Sequence, residues 1–381
     1  MKLIHLGDLH LGKSVYEFSM IEDQRYILNQ IIDIIKRENV DGVLLAGDIY
    51  DRSVPSEEAV KLLDAFFTEL ASLGKKVFAI SGNHDSDERL NYGSQLFKSN
   101  HIYIAGRYDG KIECVDLEDE FGPVHVWMMP YVKASRVAHF YPEDDTSTYD
   151  AAFRTAISKC DLNPSERNVI LVHQFVTGRG KEPELAGSES SMVNVGTIDK
   201  VGADCFDDFD YVAMGHIHSC QAVERETCRY AGSPLKYSLN TKEINSQKTV
   251  PVISLNEKGN VGVKLVYLKP FRDVRRIKGK LADLLANATD AEDYIYATLT
   301  DEEPQFDAMA RLQEVYPNTM KLDYDNTSTR ALHENDDAIE TEGKSFQDLV
   351  FDFYKLINGG QPDEEEWKLI EDVAKEAGVI E

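Results

Sequence analysis

The chain opens with a short apolar strand, residues 2–6, that stops at Gly7-Asp8. The construction recurs: Val43-Leu44-Leu45-Ala46 runs into Gly47-Asp48, and the strand from Lys76 to Ile80 runs into Ser81-Gly82-Asn83. Between these strands the apolar residues return at helical spacing. Residues 20–38 carry Ile21, Leu28, Ile31, Ile32 and Ile35 on one face. Residues 56–73 form a second helix, with Ser56 placed to cap its start and Gly74 beyond its end. Strand, loop and helix in repetition predict a sheet flanked by helices. Further strands are expected at 102–104, 111–115, 124–129, 168–172, 210–214, 227–231, 249–255 and 262–268. With few helices among them, they predict a second sheet packed on the first.

The pattern breaks at Lys269-Pro270-Phe271-Arg272. Residues 273–325 then read as strand 273–278, helix 280–287, strand 293–299, helix 304–315 and strand 319–324. The spacing predicts four parts: a large domain over 1–270, a small α+β domain over 271–325, a polar linker over 326–343, and two amphipathic helices in 344–381. Phe346, Leu349, Val350, Phe353, Leu356 and Ile357 form the stripe of the first helix. Trp367, Ile370, Val373 and Ala374 form that of the second, which Asp363 and Glu366 can open as a capping box. Such faces must be buried, either on their own protein or on a partner's helix or coiled coil.

Composition narrows the class. The chain has 381 residues, 42% hydrophobic and 28% charged, as in ordinary globular proteins. No apolar run is long enough for a membrane span, and Met1 to His5 lack a signal peptide's apolar region, so a cytoplasmic location is expected. Five scattered cysteines with no C-x-x-C pair speak against a disulfide framework or a zinc ribbon and for reduced, mostly packed thiols. The net charge is −26, of which residues 281–381 carry −19, from 26 Asp/Glu against 7 Lys/Arg. An acidic surface repels phosphate backbones. A nucleic-acid substrate would need metals, local basic patches and a partner to hold it.

Five segments carry the chemistry: Gly7-Asp8-Leu9-His10, Gly47-Asp48-Ile49-Tyr50-Asp51-Arg52, Gly82-Asn83-His84-Asp85, His173 after Val169 to Val172, and Gly215-His216-Ile217-His218. In each, polar residues follow an expected strand at once, usually after a glycine. Sites in α/β sheets lie beyond the carboxyl ends of strands, and Asp-x-His and His-x-His send alternate side chains to one side. Asp8, His10, Asp48, Asn83, His173, His216 and His218 make seven candidate metal ligands. One bridging carboxylate among them would give two ions four bonds each. Two ions about 3.5–4 Å apart clamp the attacking and leaving oxygens of phosphoryl transfer. Mixed nitrogen and oxygen ligands without thiolate suit Mn²⁺, with Mg²⁺, Fe or Zn as alternatives. His84 follows Asn83 directly and is better placed as an acid at the leaving oxygen than as another ligand. Asp51 is expected to hydrogen-bond His84. His5, His101, His125 and His139 are expected to be structural.

These segments resemble the calcineurin-like metallophosphoesterase superfamily. Three longer matches resemble its SbcD family of bacterial nuclease subunits. They are His5-Leu6-Gly7-Asp8-Leu9-His10-Leu11-Gly12-Lys13, Ser81-Gly82-Asn83-His84-Asp85-Ser86 with Arg89-Leu90, and Gly215-His216-Ile217-His218 with Tyr230-Ala231-Gly232-Ser233-Pro234-Leu235. Gly7 and Leu9 depart from the commonest pattern, which has Ser or Ala and Trp there. The resemblance implies a four-layer αββα domain followed by a capping domain and partner-binding helices. It implies that Asp8, His10, Asp48 and His218 hold one metal and Asp48, Asn83, His173 and His216 the other, with His84 as the acid. It further implies a DNA exo- and endonuclease that uses a two-metal-activated water on double-stranded DNA. Its expected partner is an SbcC-type coiled-coil ABC ATPase, bound through the C-terminal helices, and a homodimer is expected through the nuclease domain. Repair and recombination at the nucleoid would be its setting. A calcineurin-like phosphatase or small-molecule phosphodiesterase is the alternative on the same scaffold. A non-catalytic partner-binding scaffold is the alternative of another class.

Overall fold

The computed structural model describes residues 1–180, 182–189, 200–327, 329–330, 347–351, 354 and 361–376. Two compact units divide the chain, Met1–Arg275 and Arg276–Glu381.

The first unit is built on two six-stranded sheets. In the first sheet the order is Val261–Tyr267, Thr249–Leu255, Lys2–Leu6, Gly42–Ala46, Lys76–Ile80, Ile102–Ala105, and the last four strands run parallel. In the second the order is Gln221–Val223, Arg225–Tyr230, Tyr211–Gly215, Arg167–His173, Gly122–Met128, Glu113–Asp119, with a parallel centre.

Strand Arg167–His173 shows how four layers arise. Val169 and Leu171 face Leu44, Phe78 and Ile253 of the first sheet. Ile170 and Val172, one residue on, face Val137, Ala152 and Phe153 of the helical layer outside. Both faces are covered, so the strand is apolar throughout instead of alternating. Outside the first sheet, helix Glu57–Ser72 packs on Lys76–Ile80 and against helix Ile21–Glu38. Its cap forms as expected, with Ser56 Oγ accepting from the Ala59 amide.

Several features depart from the sequence expectations, among them strand Ile102–Ala105, which joins the first sheet and not the second. The strands Thr249–Leu255 and Val261–Tyr267 leave the second-sheet run and return to the first sheet, where Leu3 pairs with Ile253. The helices Ala134–Phe140 and Tyr149–Ser158 were not expected; both are short, and the first has no side-chain cap. All five cysteines are free.

Strands Val274–Gly279, Tyr294–Leu299 and Thr319–Tyr324 form one sheet, in that order, all but its first two residues within the second unit. Helices Leu281–Ala286 and Ala308–Val315 pack on it through Leu281 and Leu312. Helix Glu364–Glu376 begins with the capping box: Glu366 N donates to Asp363 Oδ1, and Asp363 N donates to Glu366 Oε2. Much of the expected linker, and Phe346, Phe353, Leu356 and Ile357 of the expected first helix, lie outside the described residues. Among the described residues, no helix is long and apolar enough to cross a membrane.

Candidate metal centre

The parallel strands of both sheets end at one edge, and the five sequence segments meet there. The approach is close enough to require glycine. A Cβ on Gly215 would lie 1.9 Å from the Ala46 carbonyl oxygen, and one on Gly47 would lie 2.4 Å from His173 Nδ1. Backbone strain marks the same place. Asp8, His10, Asp48 and His216 all adopt positive φ, between 44° and 96°. Side-chain-bearing residues take such angles only when their surroundings over-determine them.

All seven expected ligands converge. His173 donates Nδ1–H to the Ala46 carbonyl at 2.8 Å, and its Nε2 faces Asn83 Oδ1 at 3.1 Å and Asp48 Oδ2 at 3.3 Å. His216 Nδ1 meets the same Asn83 oxygen at 3.0 Å. On the other side His10 Nε2 and His218 Nε2 are 3.0 Å apart, and His10 Nε2 is 3.6 Å from Asp48 Oδ2. Asp8 Oδ1 accepts from the His216 amide at 2.8 Å, while its buried Oδ2 has no hydrogen-bond partner. Donor atoms of Asp8, His10 and His218 lie within 4.8 Å of one another, as do those of Asp8, Asp48 and His173.

The electrostatics ask for cations. Burial, then the charge of His173, hold the His216 imidazole down at about 3. Burial and then His10 depress His218, and burial lowers His10 against the pull of Asp51 and Asp48. Burial also opposes charge on His173, but Asp48 and Asp8 outweigh it and raise the imidazole to about 9. Burial lifts Asp8 far above the usual carboxylate range; Asp48 is as deeply buried, yet His173 and His10 keep it well below that range. Buried imidazoles held neutral, an unpartnered His10 Nδ1 and an orphaned Asp8 oxygen are costly in a dry site. Divalent cations between them remove that cost, so the donor set fits two such ions.

Residues 1–220 match the calcineurin-like phosphoesterase family. The chain belongs to that family. It is a phosphoester-hydrolysing enzyme, and residues 270–357 match a second family, the type 5 capsule protein repressor C-terminal domain. One relative, from Staphylococcus epidermidis, is the D subunit of nuclease SbcCD; it is 31% identical over 93% of each chain. Among solved structures, the phosphoesterase resembles a dimetal phosphatase from Danio rerio, at 12% identity and a TM-score of 0.38, over 71% of this chain and 98% of that one. It also resembles Yfce, a phosphoesterase from E. coli, at 12% identity and a TM-score of 0.28, over 71% and 100%.

One expectation is corrected. The Asp51 carboxylate does not bond His84. It takes Lys13 Nζ at 2.7 Å and stands 3.5 Å from His10 Nδ1. The main-chain carbonyl of Asp51 accepts from His84 Nδ1 instead, at 3.0 Å. The chain leaves its bridge at Tyr50 and bends over residues 51–54, and there the Asp51 side chain meets Lys13 while its carbonyl meets His84.

Sequence reasoning missed the braces. Asp85 accepts from the amides of Ile49, Tyr50 and Gly82 and so ties two ligand loops together. Gln24 donates to the His10 carbonyl and accepts from the Gly12 amide, and Tyr237 donates to the Leu9 carbonyl. Ser188 Oγ lies 2.7 Å from His218 Nδ1, and Glu189 accepts from the His218 amide at 3.1 Å. Asp85 had a local signal, since it directly follows His84. The others are remote in sequence from what they hold.

Proposed function

We propose that this chain is a metal-dependent DNA nuclease. It cuts phosphodiesters at DNA ends and hairpins, in the cytoplasm on nucleoid DNA, together with an SbcC-type coiled-coil ABC ATPase. The observation that carries this reading is the likeness to the D subunit of a nuclease SbcCD across 93% of both chains.

In this reading Asp8, His10, Asp48 and His218 hold one divalent cation. Asp48, Asn83, His173 and His216 hold the other, and Asp48 is shared. Mn²⁺ suits the mixed nitrogen and oxygen donors best. Two such ions supply Lewis-acid activation of the phosphate and of the attacking water. The chain's own residues do the rest. His84, its Nδ1–H held by the Asp51 carbonyl, turns Nε2 toward the leaving oxygen and protonates it. The Asp85 brace holds the Asp48 and Asn83 loops at a fixed separation, so the donors do not relax apart.

Residues 344–381 dock the ATPase in this reading. Trp367 rests on Phe351 with ring centroids 4.7 Å apart, but Leu369 and Val373, one turn apart on the same helix, are 66% and 57% exposed. A homodimer is formed through the nuclease domain, supported by exposed Tyr92, Leu96 and Phe97 beside a groove of about 460 Å³ lined by Val60, Leu63, Phe67 and Leu90.

The test is Mn²⁺-dependent cleavage of linear duplex DNA, with and without the partner ATPase, beside a phosphate monoester and a cyclic nucleotide. Preferential cleavage of DNA, lost in Asp48→Ala, supports the nuclease. Turnover of the monoester or cyclic nucleotide without DNA cleavage in either condition makes the chain a phosphatase or small-molecule phosphodiesterase.

A further inference from the structure

Cys114, Asp116 and His125 gather a thiol, a carboxylate and an imidazole at the edge of the second sheet, away from the phosphoesterase centre. One donor atom from each lies within 4.8 Å of the others. The backbone dictates this grouping. Cys114 and Asp116 are two apart on Glu113–Asp119 and leave the same face of the strand. His125 stands directly opposite Asp116 on Gly122–Met128.

The distances suit a metal. Asp116 Oδ1 is 2.7 Å from His125 Nδ1 and 3.7 Å from Cys114 Sγ. Tetrahedral zinc bonds of about 2.0–2.3 Å set neighbouring donors roughly 3.2–3.7 Å apart; the thiol–carboxylate distance meets this, the carboxylate and imidazole need to separate slightly, and the thiol and imidazole lie within 4.8 Å. A fourth residue points to the same chemistry. Glu166 Oε2 is 2.8 Å from His125 Nε2. With Nε2–H donated to Glu166, Nδ1 faces the Asp116 carboxylate, where either a proton or a metal ion can sit between them. A carboxylate behind a ligating histidine is the usual way proteins orient that ring.

We propose that Cys114, Asp116 and His125 form a zinc site of the second sheet, with Glu166 orienting His125 and solvent in the fourth position. The ion enters as Zn²⁺, and two protons leave to solvent: that of the Cys114 thiol and the one shared by His125 and Asp116. Nothing is oxidised or reduced. The site clamps Glu113–Asp119, which among the described residues has a neighbouring strand on one side only, to the strand beside it. Edge strands are the parts of a sheet that most need such restraint.

Cobalt(II) titration of the full chain tests the site. The phosphoesterase centre offers only nitrogen and oxygen, so a near-ultraviolet thiolate-to-cobalt charge-transfer band reports Cys114 and not that centre. The expected result is a band whose amplitude at saturation corresponds to one thiolate-bound cobalt per chain, and which is displaced by Zn²⁺ and absent in Cys114→Ser. Glu166→Gln is expected to weaken cobalt affinity about tenfold, and His125→Gln more. Mn²⁺-dependent phosphoesterase activity of Cys114→Ser should match the unaltered protein, which shows that the variant folds. Absence of the band in the unaltered protein, or its persistence in Cys114→Ser, overturns the proposal.

Discussion

The main-chain carbonyl of Asp51 holds Nδ1 of His84 at 3.0 Å. This sets the tautomer of His84 through the backbone, independent of the Asp51 side chain. Two substitutions should therefore part company. His84→Gln is expected to lose about 10²–10⁴-fold in kcat, the usual worth of a positioned acid, with both metals retained. Asp51→Ala should lose about tenfold or less, because the carbonyl stays. Steady-state kinetics with metal content measured by mass spectrometry separates the two. Loss of metal together with activity in His84→Gln reassigns the residue as a ligand.

Asp48 touches both halves of the site, through His173 at 3.3 Å and His10 at 3.6 Å. Chelation should abolish activity and lower the thermal midpoint, and Mn²⁺ should restore both. An ion at a hundred times its Kd adds about 2.7 kcal/mol per site. Asp48→Ala is expected to bind less than one ion per chain and to show no thermal shift with Mn²⁺. A full metal complement in that variant would remove Asp48 from the bridging role.

Asp85 accepts three main-chain N–H groups. Asp85→Ala leaves them without their acceptor and should cost about 2–3 kcal/mol, on the scale of an unsatisfied buried donor. Urea denaturation of the metal-free protein measures it. The same variant should bind Mn²⁺ more weakly, because the Asp48 and Asn83 loops lose their tie.

His125 lies between Asp116 at 2.7 Å and Glu166 at 2.8 Å. Burial disfavours its charge, but the hydrogen bonds to Asp116 and Glu166 outweigh that and raise its pKa. The folded value is above the unfolded one, so the stabilisation is full below the unfolded pKa of about 6.5. It is lost as pH rises through the raised folded value. In chelator, His125→Gln should be less stable than the unaltered protein at pH 5.5 by about 1 kcal/mol or less, with the gap closing in alkali. Thermal melts at several pH values check this; a gap that widens with pH reverses the sign.

Much of this protein was legible along the chain because its signals are local. A strand ending at Gly7-Asp8 or Gly215-His216 declares itself within a few residues, and so do the Ser56 cap and the Asp363–Glu366 box. The central strands, buried on both faces, read as apolar runs that needed no partner to be recognised. Edge strand Glu113–Asp119 was harder: only Val115 and Leu117 face the core, and acidic residues fill much of its other face. The expected range, 111–115, missed its second half.

By itself the sequence determined which residues could bind metal and that they stand at strand ends. Residue type and the periodicity of a strand are properties of the chain alone. Only the tertiary structure decided which lone pairs face each other. That Thr249–Leu255 returns to pair with Lys2–Leu6, that the Asp51 carbonyl rather than its carboxylate meets His84, and that Asp85, Gln24 and Tyr237 brace the loops all depend on contacts between segments. Such contacts are set by how two twisted sheets press their ends together, and no local pattern encodes that distance.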